Sequence, residues 1–168
     1  SYTLFSDSAK FTYNTIKGAI YCGIKARITN SDILHNRISD IAGFYAVGNE
    51  GIGTGTAISI DGDNNDAGDN DISFNTLENI GYNGISWRGT NTLIYRNFVK
   101  NACQVLTDGA AIYTYTGQDT SSVVAQGSIV RGNVVVDNDG YYDPVTGKYG
   151  CHGIYLDEGT QDVIVDSN

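Results

Sequence analysis

The sequence predicts an all-β solenoid of short strands wound in coils of about 22 residues, and three observations carry that expectation. First, one phrase recurs: an apolar residue, two others, Asn, one other, an apolar residue. It reads Phe11/Asn14/Ile16, Ile33/Asn36/Ile38, Ile72/Asn75/Leu77, Ile94/Asn97/Val99 and Val130/Asn133/Val135, and a further copy opens at Val165/Asn168. Second, a small residue followed by Ile stands between successive copies: Gly23-Ile24, Ala57-Ile58, Gly84-Ile85, Ala111-Ile112 and Gly153-Ile154. The two phrases alternate without exception. Third, 21 Gly against 1 Pro, abundant Asn and Asp and no Met describe many turns and few helix formers.

Taken in order, the Asn phrases start 22, 39, 22, 36 and 35 positions apart, so two coils are minimal and three carry insertions. The insertions fall before the small-Ile strand (39–56, 100–109, 137–152) or after it (62–71, 116–128). The Asn turn never lengthens. Inward Ile, Val and Leu of one coil are expected to stack on those of the next, with coils ~4.8 Å apart. Asn at a fixed turn position suggests an Asn ladder, because Asn tolerates a left-handed turn and its amide can bond its own kind above and below. The Gly/Ala column marks a place with no room for a larger side chain. A lone Pro fits, since Pro cannot donate to the ladders between coils. A propeller needs a period near 40–45, and a hexapeptide left-handed helix has the wrong period.

This pattern is that of a right-handed parallel β-helix, about five coils of three short strands, and the sequence resembles the pectate-lyase-like superfamily. The whole chain, 1–168, reads as a single β-helix domain. It stops at Val163-Ile-Val-Asp-Ser-Asn168, the opening of another repeat, so it reads as a segment of a longer protein.

A net charge of −9 and a pI near 4.4 argue against a nucleic-acid partner, which needs a basic footprint. No apolar run is long enough to span a bilayer. Cys22, Cys103 and Cys151 are odd in number and lack metal-ligand spacing. They read as buried thiols used as small hydrophobes rather than as a disulfide framework.

Counting outward from each small-Ile strand, alternate residues face solvent: Lys25 and Arg27, Ser59 and Asp61, Ser86 and Arg88, Tyr113 and Tyr115, Tyr155 and Asp157. Trp87 points inward, as core. Long insertions flank this face on both sides, and loops that wall a sheet face make a groove. The 12 Tyr of the chain exceed what a small core needs, and aromatic rings beside charged groups suit carbohydrate. Tyr113, Tyr115 and Tyr155 are therefore candidate substrate-binding residues with Arg88, although tyrosines also cover sheets simply as good β-formers. Asp108 lies at the mouth of the groove, in Thr107-Asp108-Gly109. Asp157-Glu158 closes the next coil, and His152 falls alongside Ala110. Asp108, Asp157, Glu158 and His152 are the candidate catalytic residues. Asp108 and Asp157 lie seven strand positions apart, too far to cooperate unless the loop before Ala110 curls over the face; Asp119 is a further candidate on the binding side. The run Asp61-Gly-Asp63-Asn-Asn-Asp66 invites calcium, yet it lacks the Gly and Glu positions of an EF-hand loop, so a solvated acidic turn is the reading preferred. His35 reads as a turn histidine.

From Gly81 onward, an Asp-Gly before an aromatic strand, followed by His152-Gly-Ile-Tyr-Leu-Asp157, resembles secreted bacterial β-helix proteins of polysaccharide breakdown. The resemblance implies an extracellular or periplasmic protein with an extended sugar chain lying on this face. The first expectation is a glycoside hydrolase using two carboxylates. The others are a polysaccharide lyase acting on a uronic-acid polymer, and a non-catalytic carbohydrate-binding or adhesin module. The signature strings of the superfamily's lyases, polygalacturonases and alginate epimerases are not reproduced.

Overall fold

The computed structural model describes residues 6–43, 54–62, 67–117, 124–140, 142–144 and 147–168. They form a right-handed parallel β-helix with no helix among them. Three sheets run the length of the stack. Sheet I has six strands: Lys10–Thr12, Asp32–Leu34, Asp71–Ser73, Leu93–Tyr95, Ile129–Arg131 and Ile164–Asp166. Sheet II has five: Thr15–Lys17, Arg37–Ile41, Thr76–Ile80, Phe98–Lys100 and Val134–Val136. Sheet III has five: Ile24–Ala26, Ile58–Ile60, Ile85–Trp87, Gly109–Thr114 and Cys151–Leu156. Every pairing within these sheets is parallel. Two small pairs lie outside them, Ser6–Asp7 with Ile28–Thr29 in parallel and Tyr142–Asp143 with Lys148–Tyr149 antiparallel.

The register follows the repeats. Ile33 pairs with Ile72, Ile72 with Ile94, and Ile94 with Val130. On sheet III, Ile24, Ile58, Ile85, Ile112 and Ile154 line up in one column. A slip of one residue would turn each of these side chains from core to solvent, so the apolar columns themselves fix the pairing. They are closed to water: Ile33, Ile38, Ile58, Ile72, Leu77, Ile85, Ile94, Val99, Ile112 and Val130 are fully buried. Trp87 is buried among them, with its indole N–H 3.4 Å from Ser128 Oγ. Leu156 and Val165 are exposed because they belong to the last coil, with no coil stacked over them.

Asn14, Asn36, Asn75, Asn97, Asn133 and Asn168 form the ladder. Each Asn after Asn14 receives through Oδ1 the backbone N–H and the side-chain N–H of the Asn one coil before it: Asn36 to Asn75 at 2.9 and 3.0 Å, Asn75 to Asn97 at 2.9 and 2.9 Å. The second amide hydrogen reaches a strand carbonyl, as from Asn75 to Ile33 at 2.8 Å. The same contacts continue through Asn133 to Asn168. A buried polar group is tolerated when its bonds are complete, and here they are complete because neighbouring rungs are identical.

The left-handed residue of this turn is not the Asn, contrary to the sequence expectation, but the one before it. Tyr13, His35, Phe74, Arg96 and Ser167 have φ of 57, 56, 57, 50 and 55°, and Gly132 has 65°. The Asn is thereby freed to aim its amide along the stack. The side chains of the left-handed column stack outside: Tyr13 on His35 at 4.9 Å, and His35 on Phe74 at 5.0 Å between ring centroids. The other two turns also hold a left-handed column, and there Asn and Asp do dominate: Asp40, Asn79, Asn101 and Asp137 at one, Asn30, Asp69, Asn91 and Asp162 at the other. A second inner ladder, not anticipated, runs beside sheet I. Ser31 accepts the Ala9 N–H at 2.9 Å, Asn70 accepts that of Ser31 at 3.1 Å, and Ser128 that of Thr92 at 3.1 Å.

Replacing Asn75 by Ala strands two N–H groups of Asn36 and the carbonyl of Ile33. The expected cost is about 2–4 kcal/mol, read from the shift of the denaturant midpoint. The same change at Asn14, exposed in the first coil, is expected to cost well under half as much.

Candidate functional site

The outer face of sheet III is not one open groove. Ser59 and Ser86 alternate outward, yet they are only 1% and 3% exposed, so the face is closed over its middle coils. At the first coil, Lys25 lies 3.3 Å from Asp61 and over the Tyr21 ring. The polar side chains that gather in number do so on the last two coils, around the strands Gly109–Thr114 and Cys151–Leu156.

Asp157 is the centre of that group. Tyr113 of the preceding coil donates its hydroxyl to Asp157 Oδ2 at 2.8 Å, and the Glu158 backbone N–H donates to Oδ1 at 2.7 Å. Burial pushes the Asp157 carboxyl up, but the Glu158 N–H, the Tyr113 and Tyr155 hydroxyls and the charge of His152 outweigh it, and the carboxyl sits below the usual carboxylate range. Asp157 is therefore an ionised carboxylate at any mildly acidic or neutral pH. The same contacts act in reverse on the phenols. Burial and then the Asp157 hydrogen bond push Tyr113 up; for Tyr155 the Asp157 hydrogen bond leads.

The rings form a corner. Tyr113 meets Tyr155 edge-on at 5.7 Å, and His152 lies against Tyr155 at 4.5 Å with the planes tilted by 56°. Strict alternation from Ile154 does not place His152 beside Tyr155. The two rings meet nonetheless, and Ala110 pairs with His152 in the register expected. Tyr113 is only 5% exposed, so it holds the carboxylate rather than offering its ring face. Tyr155 is more open, and His152 is exposed.

Asp108 enters from the other end of the strand. It has φ of 60°, is exposed, and its backbone carbonyl accepts the Tyr82 hydroxyl at 2.8 Å. Tyr82 belongs to the coil before and was not singled out in the sequence. Its ring lies over Gly109, where an added Cβ would come within 2.5 Å of the ring and 2.6 Å of Asn83 Oδ1. Only glycine lets that ring lie flat, and the ring then ties down the turn carrying Asp108. Asn83 is fully buried and accepts the Ala110 N–H at 2.8 Å. Burial, helped by Asp108, Cys103 and Asp157, pushes the Tyr82 phenol up to about 12.

Asp108 and Asp157 both act on Tyr82 and on Tyr113. Glu158 is exposed beside Asp157 and contributes its backbone N–H to the site. Tyr115 is half-buried with its hydroxyl against Gly117, and Arg88 lies one coil back in the same column. Asp119 lies outside the described residues, as do Asp63 and Asp66. Asp61, the remaining member of the acidic run, takes Lys25 and the Ser59 hydroxyl. Among the described residues no group of three His, Cys, Asp or Glu is placed to hold a metal ion. Nor is any helix there long and apolar enough to cross a membrane.

Fold and site together define a parallel β-helix bearing a carboxylate–phenol–imidazole cluster on the outer face of one sheet. Comparison with protein-family models, curated proteins and solved structures finds no match.

Because the folded-state carboxyl is depressed, the stabilising contribution of Asp157 is full above the ordinary carboxylate pKa of about 4 and is lost as the pH falls through its lower folded value. Tyr113→Phe removes one of the bonds to the charged form. The Asp157 titration followed by carboxyl-carbon NMR is then expected to move up, toward the ordinary range, with the fold intact.

Proposed function

We propose that this protein is a secreted polysaccharide-active enzyme, a glycoside hydrolase working at the last two coils of sheet III. The observation that carries the reading is Asp157, a carboxylate held by the Tyr113 hydroxyl and the Glu158 N–H with the rings of Tyr155 and His152 gathered at the same corner. Glycoside hydrolysis calls for two carboxyl groups in different states. Asp157, fixed by Tyr113 and the Glu158 N–H, is the carboxylate that activates water or attacks the anomeric carbon. Asp108, exposed on its own turn, is the acid that protonates the leaving oxygen. His152 and Tyr155 present ring surface for a pyranose, with Arg88, Tyr115 and Glu158 as the outer contacts. This reading keeps the resemblance to β-helix proteins of polysaccharide breakdown.

The chemistry of the cluster weighs against a lyase. A uronate carboxylate has to be neutralised, and the centre of this cluster is instead the ionised carboxylate of Asp157 with Glu158 next to it. Tyr113, pushed far above neutral and bound to a carboxylate, is a poor base. The substrate class favoured is a neutral polysaccharide.

Incubation with a panel of neutral and uronate-containing polysaccharides is expected to release reducing ends from a neutral polymer, with no unsaturated ends absorbing in the far ultraviolet. Asp157→Asn and Asp108→Asn are each expected to lower kcat/KM by about 10²–10⁴. Unsaturated products would replace the hydrolase by the lyase. Binding without release of either end would replace it by a binding module. Hydrolysis that persists in both variants would remove these two residues from the mechanism.

A further inference from the structure

Two of the three thiols, 48 positions apart in sequence, meet in the fold. Cys103 lies in the turn that leads from sheet II to the strand Gly109–Thr114, and its backbone N–H reaches the Tyr82 carbonyl at 2.7 Å. Cys151 opens the strand of the following coil, paired with Gly109. Its sulfur is 3.7 Å from the carbonyl oxygen of Ala102, the residue next to Cys103. Cys103 belongs to the buried core, and Cys151 packs against that same cluster. Neither is in a disulfide in this structure.

Asn138 holds the two segments together. Its Oδ1 accepts the Ala102 N–H at 2.8 Å, while its Nδ2 donates to Cys151 Sγ at 2.8 Å and to the His152 carbonyl at 2.8 Å. Gly140 lies directly against Cys151 Cβ. Nothing in the packing of the coils calls for an amide hydrogen bond to a sulfur if Cys151 is only a small apolar filler, and Ala or Val would fill the place as well. The exposures also differ in a useful order: Cys103 is fully buried, and Cys151 beside it is partly open.

We propose that Cys103 and Cys151 form a dithiol that closes to a disulfide when a small-molecule disulfide such as glutathione disulfide reaches Cys151. The thiolate of Cys151 attacks one sulfur of glutathione disulfide. The S–S bond breaks, and one glutathione leaves as a thiolate that takes up a proton. Cys103 then gives up its proton and attacks the Cys151 sulfur of the mixed disulfide, and the second glutathione leaves. Two protein thiols are oxidised by two electrons, and one glutathione disulfide is reduced to two glutathiones. Hydrogen bonding supports this division of labour. The neighbouring Cys151 and burial drive the Cys103 thiol up, while Cys103 and the amide that Asn138 donates to its sulfur draw Cys151 down. Thiol–disulfide exchange is carried by the thiolate. Cys22 takes no part: it lies in the first coil, donates to the Ile24 carbonyl at 3.2 Å, and is pushed up to about 12 chiefly by burial.

The bond would link the turn that precedes Asp108 to the start of the strand carrying His152, closing a loop of about 50 residues. The inference does not depend on the reaction proposed above.

The test is thiol mapping on the intact chain. The protein is incubated with glutathione disulfide, alkylated, digested and weighed. A Cys103–Cys151 linked peptide is expected, two mass units lighter than its reduced parts, with Cys22 alkylated. The thermal midpoint of the oxidised protein is expected to rise by roughly 5–15 °C, with the rise absent in Cys151→Ser. Cys103→Ser is expected to stop at a stable glutathione adduct on Cys151, and Cys151→Ser to leave Cys103 unmodified. The proposal is overturned if the wild-type protein retains all three thiols, carries a glutathione adduct on Cys151 that never resolves, or pairs through Cys22.

Discussion

The structure depends on one constraint: each coil must sit in register on the next. A parallel stack satisfies its backbone hydrogen bonds only between coils, never within one. A coil alone is therefore a chain with open donors and acceptors on both edges. The Asn ladder locks that register at a single turn. Because Asn36, Asn75 and Asn97 each close the bonds of a neighbour and leave none open, the turn that carries them can neither lengthen nor shift. Insertions are confined to the other two turns, where left-handed Asn and Asp residues bend the chain by local geometry and a longer path does not break a buried ladder.

That division of labour leaves sheet III as the sheet flanked on both sides by turns that can grow, and what they carry is aimed at its outer surface. The same freedom explains why the face is not uniform. Over the middle coils Ser59 and Ser86 are covered, whereas Tyr113, His152, Tyr155 and Asp157 concentrate charge and ring surface in one place. The site is stiff where it needs to be. Tyr113 and the Glu158 N–H hold the carboxylate of Asp157, and Tyr82 over Gly109 holds the turn of Asp108.

Much of the fold was legible because a solenoid writes its register into its period. Ile33, Ile72 and Ile94 align by counting, and they pair by hydrogen bonding. The errors came from turns. The left-handed residue precedes the Asn, which composition alone could not reveal, since Tyr13, Phe74 and Arg96 are not residue types that favour that conformation. Asp157 and Tyr155 were found by alternation and by their place beside insertions, and His152 by its register with Ala110. Tyr82 was missed because it lies before the strand, where alternation gives no guidance. Its signal was the glycine, Gly109, standing opposite it one coil on. The Cys103–Cys151 meeting was illegible for a related reason: an insertion of 13 residues stands between Asn138 and His152, and no period runs through it.

The central claim is that the cluster around Asp157 is where a sugar chain lies. The two histidines of the chain provide the direct measurement. His152 lies in the cluster, and His35 is stacked between Tyr13 and Phe74 at the Asn turn. In an NMR titration of the Asp157→Asn protein with neutral oligosaccharides, which removes turnover, the His152 ring resonances are predicted to shift with saturation while those of His35 stay still. Stationary resonances for both rings across the panel, or movement of His35 alone, would contradict the account.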